Sequence, residues 1–443
     1  MKPKATDFTR MVKPVSDPYK HKPIEINNLT QTVPTMPVVV PDDSSTPANI
    51  QPSKIPPNIQ SVDANLARSV SYLADFAGCG HYRILWPNWL INAKYTTPKN
   101  GRPTFSVMSS ASMIFEPNIY YNQMKVVRVQ RQATQQQMDF LRHFLVPLAK
   151  KKNFKIVYDA DDWFFNIPKF NHAYKAYTPE ILNNIVEIVT NMDYLTVTSS
   201  YLRNLFHKEI NIPIEKILLM PNRLPKFLYE GYYDKDKVKI KSKKKRVSAK
   251  DKPRILWTGS STHFNLGDMS SEDDVKVLRQ FIHKTAKRYQ WVLVGVPKDA
   301  VKYLGLPSNV ECYPWCPILN YPMLMDRVDC DLAITALYDC DFNRAKSNIK
   351  LLEFGALGIP AVLERVEPYK TAPCTFRGLA ELEAQVDRLL KDEKYYYNTV
   401  AQQRGIVEKN FWLEDHIEDW CDLYQGNFDL LKEKTKKELS KIV

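Results

Sequence analysis

The chain has 443 residues and a formal net charge of +13 at pH 7, a length that calls for more than one hydrophobic core. Hydrophobic residues make up 44% and charged residues 25%, the balance of a globular protein, and no apolar run reaches the roughly 18 residues of a membrane span. The N-terminal MKPKATDFTRMVKP lacks the apolar segment of a secretory signal, and Cys79, Cys312, Cys316, Cys330, Cys340, Cys374 and Cys421 include no CxxC pair, so a cytoplasmic protein with reduced thiols is expected.

Residues 1–65 are rich in Pro, Ser, Thr and Asn and cannot bury enough apolar surface to fold alone, which predicts an extended or disordered segment. From Ser69 apolar runs alternate with amphipathic stretches, the pattern of an α/β sheet. Strands are predicted at Lys125–Gln130, Lys155–Tyr158, Tyr194–Thr198 and Ile217–Met220, with helices at Gln135–Lys151 and Pro179–Asn191. Residues 77–87, AGCGHYRILWP, read as a glycine-rich loop in which Gly78 and Gly80 bend the chain. Between Asp234 and Pro253 there are ten Lys and Arg against three Asp, a local net charge of +7 that suits either a solvated linker or a contact with phosphates or anionic lipid.

A second α/β series follows, with strands at Arg254–Thr258, Trp291–Val294, Val310–Tyr313, Leu332–Thr335 and Ala361–Leu363. Its helices are expected at Val275–Arg288, Ile349–Leu357 and Leu379–Lys391, and Trp412–Leu423 adds an apolar stripe at helical spacing. The expected architecture is two Rossmann-like domains, 66–233 and 254–408, facing across a cleft and joined by the basic linker 234–253. The C-terminal helices of 409–443 follow, the first packing back on the N-terminal domain.

In open sheets of this class ligands sit beyond the carboxyl ends of the strands. There, FNRAKSNIKLLEFGALGIPAV places Lys346 and the amides of Ser347–Ile349 at a helix start, where free N–H groups and a lysine suit a diphosphate. Glu353 lies further along that helix, suited to ribose hydroxyls, and Gly358 and Pro360 end it. The loop WTGSSTHFNLGD offers Gly259, Ser260 and Ser261 for close approach of a phosphate or sugar. In the first half, YDADDWFFNIP gathers Asp159, Asp161 and Asp162 at a strand end, where carboxylates serve as general bases, grip hydroxyls or cap a turn.

The residues Phe342, Asn343, Lys346, Ser347, Ile349, Lys350, Glu353, Ala356, Leu357, Gly358, Ile359 and Pro360 resemble the donor-site pattern of GT-B glycosyltransferases, close to family 4 in its phage and bacterial forms. The resemblance runs from about residue 70 to about residue 420 and implies a hexosyl- or pentosyltransferase using a nucleotide-sugar, a UDP-sugar by preference, with no divalent metal required. It implies donor contacts from Gly259, Ser260, Ser261, His263, Arg344, Lys346, Ser347, Asn348 and Glu353. Asp161, Asp162 and His81 are the expected catalytic residues, and Gly80 and Arg83 the acceptor or phosphate contacts. Asp159-Ala-Asp161 also spells the DxD metal motif of the other glycosyltransferase fold, but GT-B enzymes manage the leaving diphosphate with cations and helix dipoles. Many family members carry a second glutamate where this chain has Ala345, which leaves the stereochemical outcome open.

The expected acceptor is hydroxymethylated cytosine of double-stranded DNA, in the host cytoplasm for a phage-encoded enzyme, because some phage relatives decorate their own DNA and the chain is basic. A surface glycan or lipid-linked acceptor, and a non-catalytic module binding nucleic acid, are the alternatives.

Overall fold

A computed structural model describes residues 67–95, 105–120, 123–243, 252–265, 272–296, 298 and 300–440. The N-terminal segment 1–65 and the middle of the basic stretch, 244–251, lie outside these residues.

The chain forms two parallel six-stranded sheets, one per lobe, an α/β architecture of the expected class. The first is ordered β2-β1-β3-β4-β5-β6, with β1 at Ala67–Tyr72, β2 at Phe105–Ser110, β3 at Val126–Gln130, β4 at Lys155–Ala160, β5 at Tyr194–Val197 and β6 at Ile217–Leu219. The second is ordered β12-β11-β10-β7-β8-β9, with β7 at Arg254–Thr258, β8 at Gln290–Val294, β9 at Glu311–Tyr313, β10 at Leu332–Thr335, β11 at Ala361–Glu364 and β12 at Thr375–Phe376. The central strands β3 and β10 are buried along their whole length; β10 is nearly all apolar, whereas β3 buries Arg128 and Gln130 among its valines.

The order reverses between β7 and β10, so the loops leaving these two strands diverge and open a crevice at their carboxyl ends. In the first sheet the same reversal falls between β1 and β3.

Residues 77–87 differ from the expected loop. Gly78–Gly80 opens a helix that continues through a π-helical turn at His81–Leu85 into Trp86–Tyr95. The glycine is a packing requirement: a Cβ on Gly80 would lie 1.8 Å from the Asp75 carbonyl oxygen. The start of the basic stretch is likewise helical, Lys235–Lys243, with Val238 buried and Lys237 and Lys241 each 2.7 Å from a carboxylate, Asp326 and Asp329 respectively.

The chain's end returns to the first lobe. Leu224 is bracketed by backbone hydrogen bonds with Phe411 and Leu413, and the helices Ile417–Gln425 and Phe428–Ser440 lie against the first sheet. Ser69 Oγ donates to the Tyr424 carbonyl (3.1 Å), and the Leu219 amide donates to Thr435 Oγ1 (3.1 Å). The C-terminal helices thereby complete the first lobe's core.

Candidate functional site

At the reversal in the second sheet, Thr258 and Gly259 leave β7, Gly295 leaves β8, and Ala336 and Leu337 leave β10. They floor a cleft of about 360 Å³ whose other wall comes from the first lobe through Cys79, Tyr82, Asp161, Asp162 and Asn222. The floor is tight. Gly295 adopts φ +93°, and a Cβ there would lie 2.2 Å from the Gly259 carbonyl oxygen, so only glycine fits without moving the loop.

The helix Ile349–Leu357 points its N-terminus into this cleft and ends at Gly358 in the left-handed conformation, φ +69°. Lys346 and Ser347 line the cleft just ahead of it, with the Lys346 Nζ 4.3 Å from the centre of the Phe342 ring. Free N–H groups at the helix start and the adjacent ammonium are a combination chemically suited to an anion.

Glu353 sits deeper on the same helix and is 4% exposed. Its carboxylate accepts from Tyr82 Oη of the first lobe (2.7 Å) and from Lys350 Nζ (2.9 Å). Burial works to lower the Lys350 ammonium's pKa, but Glu353 and Tyr321 outweigh it and hold it above the usual lysine value. Asn222 Nδ2 donates to Ser347 Oγ across the lobes at 3.1 Å.

On the first-lobe wall, Arg131 donates to Asp161 and to Asp162, the latter at 2.6 Å. Arg131 has φ +52°, unusual for a side chain of its size. Burial raises the Asp161 carboxyl above the usual aspartate range despite Arg131. It works the same way on Asp162, but Lys346 and Arg131 outweigh it and hold that carboxyl low. The two neighbours are thus tuned apart, the more weakly acidic one beside a firmly ionised one.

His263, on the cleft floor, is oriented from behind. Its Nδ1 lies 2.7 Å from Asp274 Oδ2, and Asp274 Oδ1 accepts from the Tyr338 amide (2.9 Å) and Asn343 Nδ2 (2.6 Å). A carboxylate can only accept, so Nδ1 carries the proton and Nε2 is the nitrogen left for a ligand.

Of the residues singled out in the sequence, Gly259, Ser260, His263, Lys346, Ser347, Glu353, Asp161 and Asp162 line this one cleft. Ser261 and Asn348 adjoin lining residues in the chain, and Gly80 is buried and does not line the cleft. Arg83 is fully buried, paired with Asp159 at 2.6 Å and donating to Asn222 Oδ1 at 3.2 Å, so it supports the wall without facing the cleft. Arg344 is spent on Asp339 and Asp341 outside it. His81 lines a neighbouring groove. Asp159, the first carboxylate of the DxD, is committed to Arg83, Arg128 and Thr196 and held far below the usual aspartate value; burial opposes this and the two arginines prevail. Among the described residues no group of three or more His, Cys, Asp and Glu is placed to hold a metal. Ala345 is fully buried against the first-lobe core, with its carbonyl accepting from Ser199 Oγ (2.8 Å). Asp274, Arg131, Tyr82 and Asn222 carry no sequence signal of their role, since each acts through a partner distant along the chain.

No protein-family model matches the chain, and no curated protein matches it in sequence. Solved structures do match in fold. HepE from Anabaena, determined with UDP and glucose, is 11% identical over 85% of this chain and 99% of that one, with a TM-score of 0.51. A glycosyltransferase from Rickettsia africae is 14% identical, with 82% and 98% covered and a TM-score of 0.52. Sucrose-phosphate synthase from Thermosynechococcus elongatus is 14% identical, with 83% and 100% covered and a TM-score of 0.53. Two parallel-sheet lobes facing across a cleft at the strand ends, matched over nearly the full length of these proteins, give this chain the GT-B fold.

Proposed function

We propose that the protein is a glycosyltransferase that moves a sugar from a nucleotide-diphosphate donor, a UDP-sugar, to an acceptor hydroxyl. The observation that carries this reading is the convergence of Lys346, the helix start at Ile349 and the Gly259–Gly295 floor on one side of a cleft, with Asp161 and Asp162 on the other. The diphosphate lies against Lys346 and the helix N-terminus, which stabilise the charge that develops as the sugar C1–oxygen bond breaks. Glu353 uses two of its roughly four lone-pair sites on Tyr82 and Lys350, which leaves acceptor capacity for ribose hydroxyls. The new bond forms from the acceptor oxygen to C1, and the acceptor's proton passes to the Asp161–Asp162 pair. Interlobe bonds at Tyr82–Glu353 and Asn222–Ser347 hold the cleft closed around the donor, keeping out water that would hydrolyse it. No divalent metal enters this reading: a cation and helix dipole serve the leaving group, and the DxD carboxylates are bound to arginines.

Hydroxymethylated cytosine in duplex DNA is a second reading of the acceptor, supported by the net charge of +13; its binding would weaken steeply with salt. The test of the main reading is a thermal shift with UDP and GDP, with UDP release from hexose and pentose donors. A shift with UDP that disappears in Lys346→Ala is expected. If neither nucleotide stabilises the protein and Lys346→Ala changes nothing, the reading fails.

A further inference from the structure

Beside the donor cleft runs a second groove, of about 550 Å³, bounded by the helix 78–95 and by Phe227 and Leu319. Its rim is apolar and, among the described residues, uncovered. Trp89 is 55% exposed and Phe227 51%, with ring centroids 4.8 Å apart, and Leu319 opposite is 53% exposed. Large apolar side chains clustered in water mark a surface that receives a ligand.

Its base holds an unmet polar group. Asn88 is 1% exposed, its Nδ2 donates to Ser109 Oγ at 2.8 Å, and its Oδ1 has no hydrogen-bond partner. Flipping the amide would orphan the nitrogen instead, so one buried polar atom is unsatisfied either way. Such a group costs on the order of 1–3 kcal/mol unless something pairs with it.

The groove and the cleft share two walls. Tyr82 faces the cleft and His81 the groove; Ile318 faces the cleft and Leu319 the groove. Among the described residues that line the groove there is no Lys, Arg, Asp or Glu.

We propose that this groove is the acceptor subsite of the enzyme and that it takes an uncharged saccharide. The inference rests on the glycosyltransferase reading and names its acceptor class. Aromatic faces at the rim suit the C–H faces of a sugar ring, and a small rotation of the buried Asn88 side chain brings its unpaired Oδ1 to a sugar hydroxyl at the base. A nucleic-acid backbone would need cations that the groove lacks. A bound chain would continue past His81 and Tyr82 and present its terminal hydroxyl to Asp161 and Asp162.

The test titrates the full-length protein with maltotriose, cellotriose and chitotriose, followed by tryptophan fluorescence and by their effect on UDP release. At least one trisaccharide binds, and Trp89→Ala and Asn88→Leu each weaken it roughly tenfold or more, a loss of about 1.4 kcal/mol, while the UDP thermal shift keeps its wild-type size. Trp89 is exposed, so its removal leaves the core intact. The proposal is overturned if no trisaccharide binds, or if binding survives both substitutions. Two further results overturn it: a hydroxymethylcytosine duplex binds and Trp89→Ala weakens that binding alone, or Trp89→Ala converts a dimer to a monomer with no effect on saccharides. Failure of the underlying reading shows separately, as absence of a UDP shift in the wild type.

Discussion

Replacing Asp274 with asparagine removes a buried negative charge and moves a proton on His263. Asp274 is 4% exposed and its carboxylate accepts three hydrogen bonds. An asparagine in the same pose keeps an oxygen for the Tyr338 amide and Asn343 Nδ2 and turns an NH2 group toward His263 Nδ1. The ring then takes its other tautomer, with the proton on Nε2 facing the donor. In stability, three bonds to a charged group, each worth about 1.5–3 kcal/mol, become neutral ones worth about 1 each, so the summed loss is about 1.5–6 kcal/mol. In activity the expected loss is roughly tenfold to a hundredfold in kcat/KM or about 1.4–2.7 kcal/mol of transition-state stabilisation, because the cleft-facing nitrogen has changed from acceptor to donor. Nitrogen NMR of the histidines reads the tautomer, UDP release reads kcat/KM, and urea unfolding reads stability. The reasoning is refuted if the tautomer switches while kcat/KM stays within about twofold, since His263 Nε2 would then have no part in donor turnover.

Three further outcomes follow from the same geometry. Gly295→Ala meets both a positive φ and a 2.2 Å approach to the Gly259 carbonyl; it should cost about 2–4 kcal/mol and abolish the UDP thermal shift, and a wild-type Tm would contradict the packing described. Tyr82→Phe removes the 2.7 Å bond to the buried Glu353, so unfolding in urea should show a loss of about 1.5–3 kcal/mol, whereas an unchanged midpoint would mean that the lobes are not joined through this pair. Burial pushes the Glu364 carboxyl up from 4.5 to about 7, opposed by its bond from the Leu337 amide. The folded protein therefore binds more protons than the unfolded chain in that window, so the contribution of Glu364 is complete below pH 4.5 and lost as pH rises through about 7. Glu364→Gln should flatten the fall and be the more stable form at alkaline pH by about 3 kcal/mol; a parallel pH profile for both proteins would refute this.

Local patterns in the sequence decided the parts of the fold that local physics decides. The strand Arg254–Thr258 and the helix Ile349–Leu357 stand where apolar runs and the Gly358–Pro360 stop placed them. Lys346, Ser347 and Glu353 follow from that helix by position alone. The strand Ala67–Tyr72 was not legible, because its buried Ser69 and Ser71 are satisfied by Tyr424. Without that distant partner two inward serines argue against a buried strand. Arg83 looked functional for the converse reason. A charge beside a glycine pair suggests a ligand contact, yet its partners Asp159 and Asn222 come from other elements and bury it. The tertiary structure alone set Asp161 and Asp162 across the cleft from Lys346, put Asp274 behind His263, and left Asn88 Oδ1 without a hydrogen-bond partner. Periodicity and turn chemistry are carried by near neighbours in the chain, whereas the direction a charged or polar side chain faces is fixed by whichever distant group satisfies it.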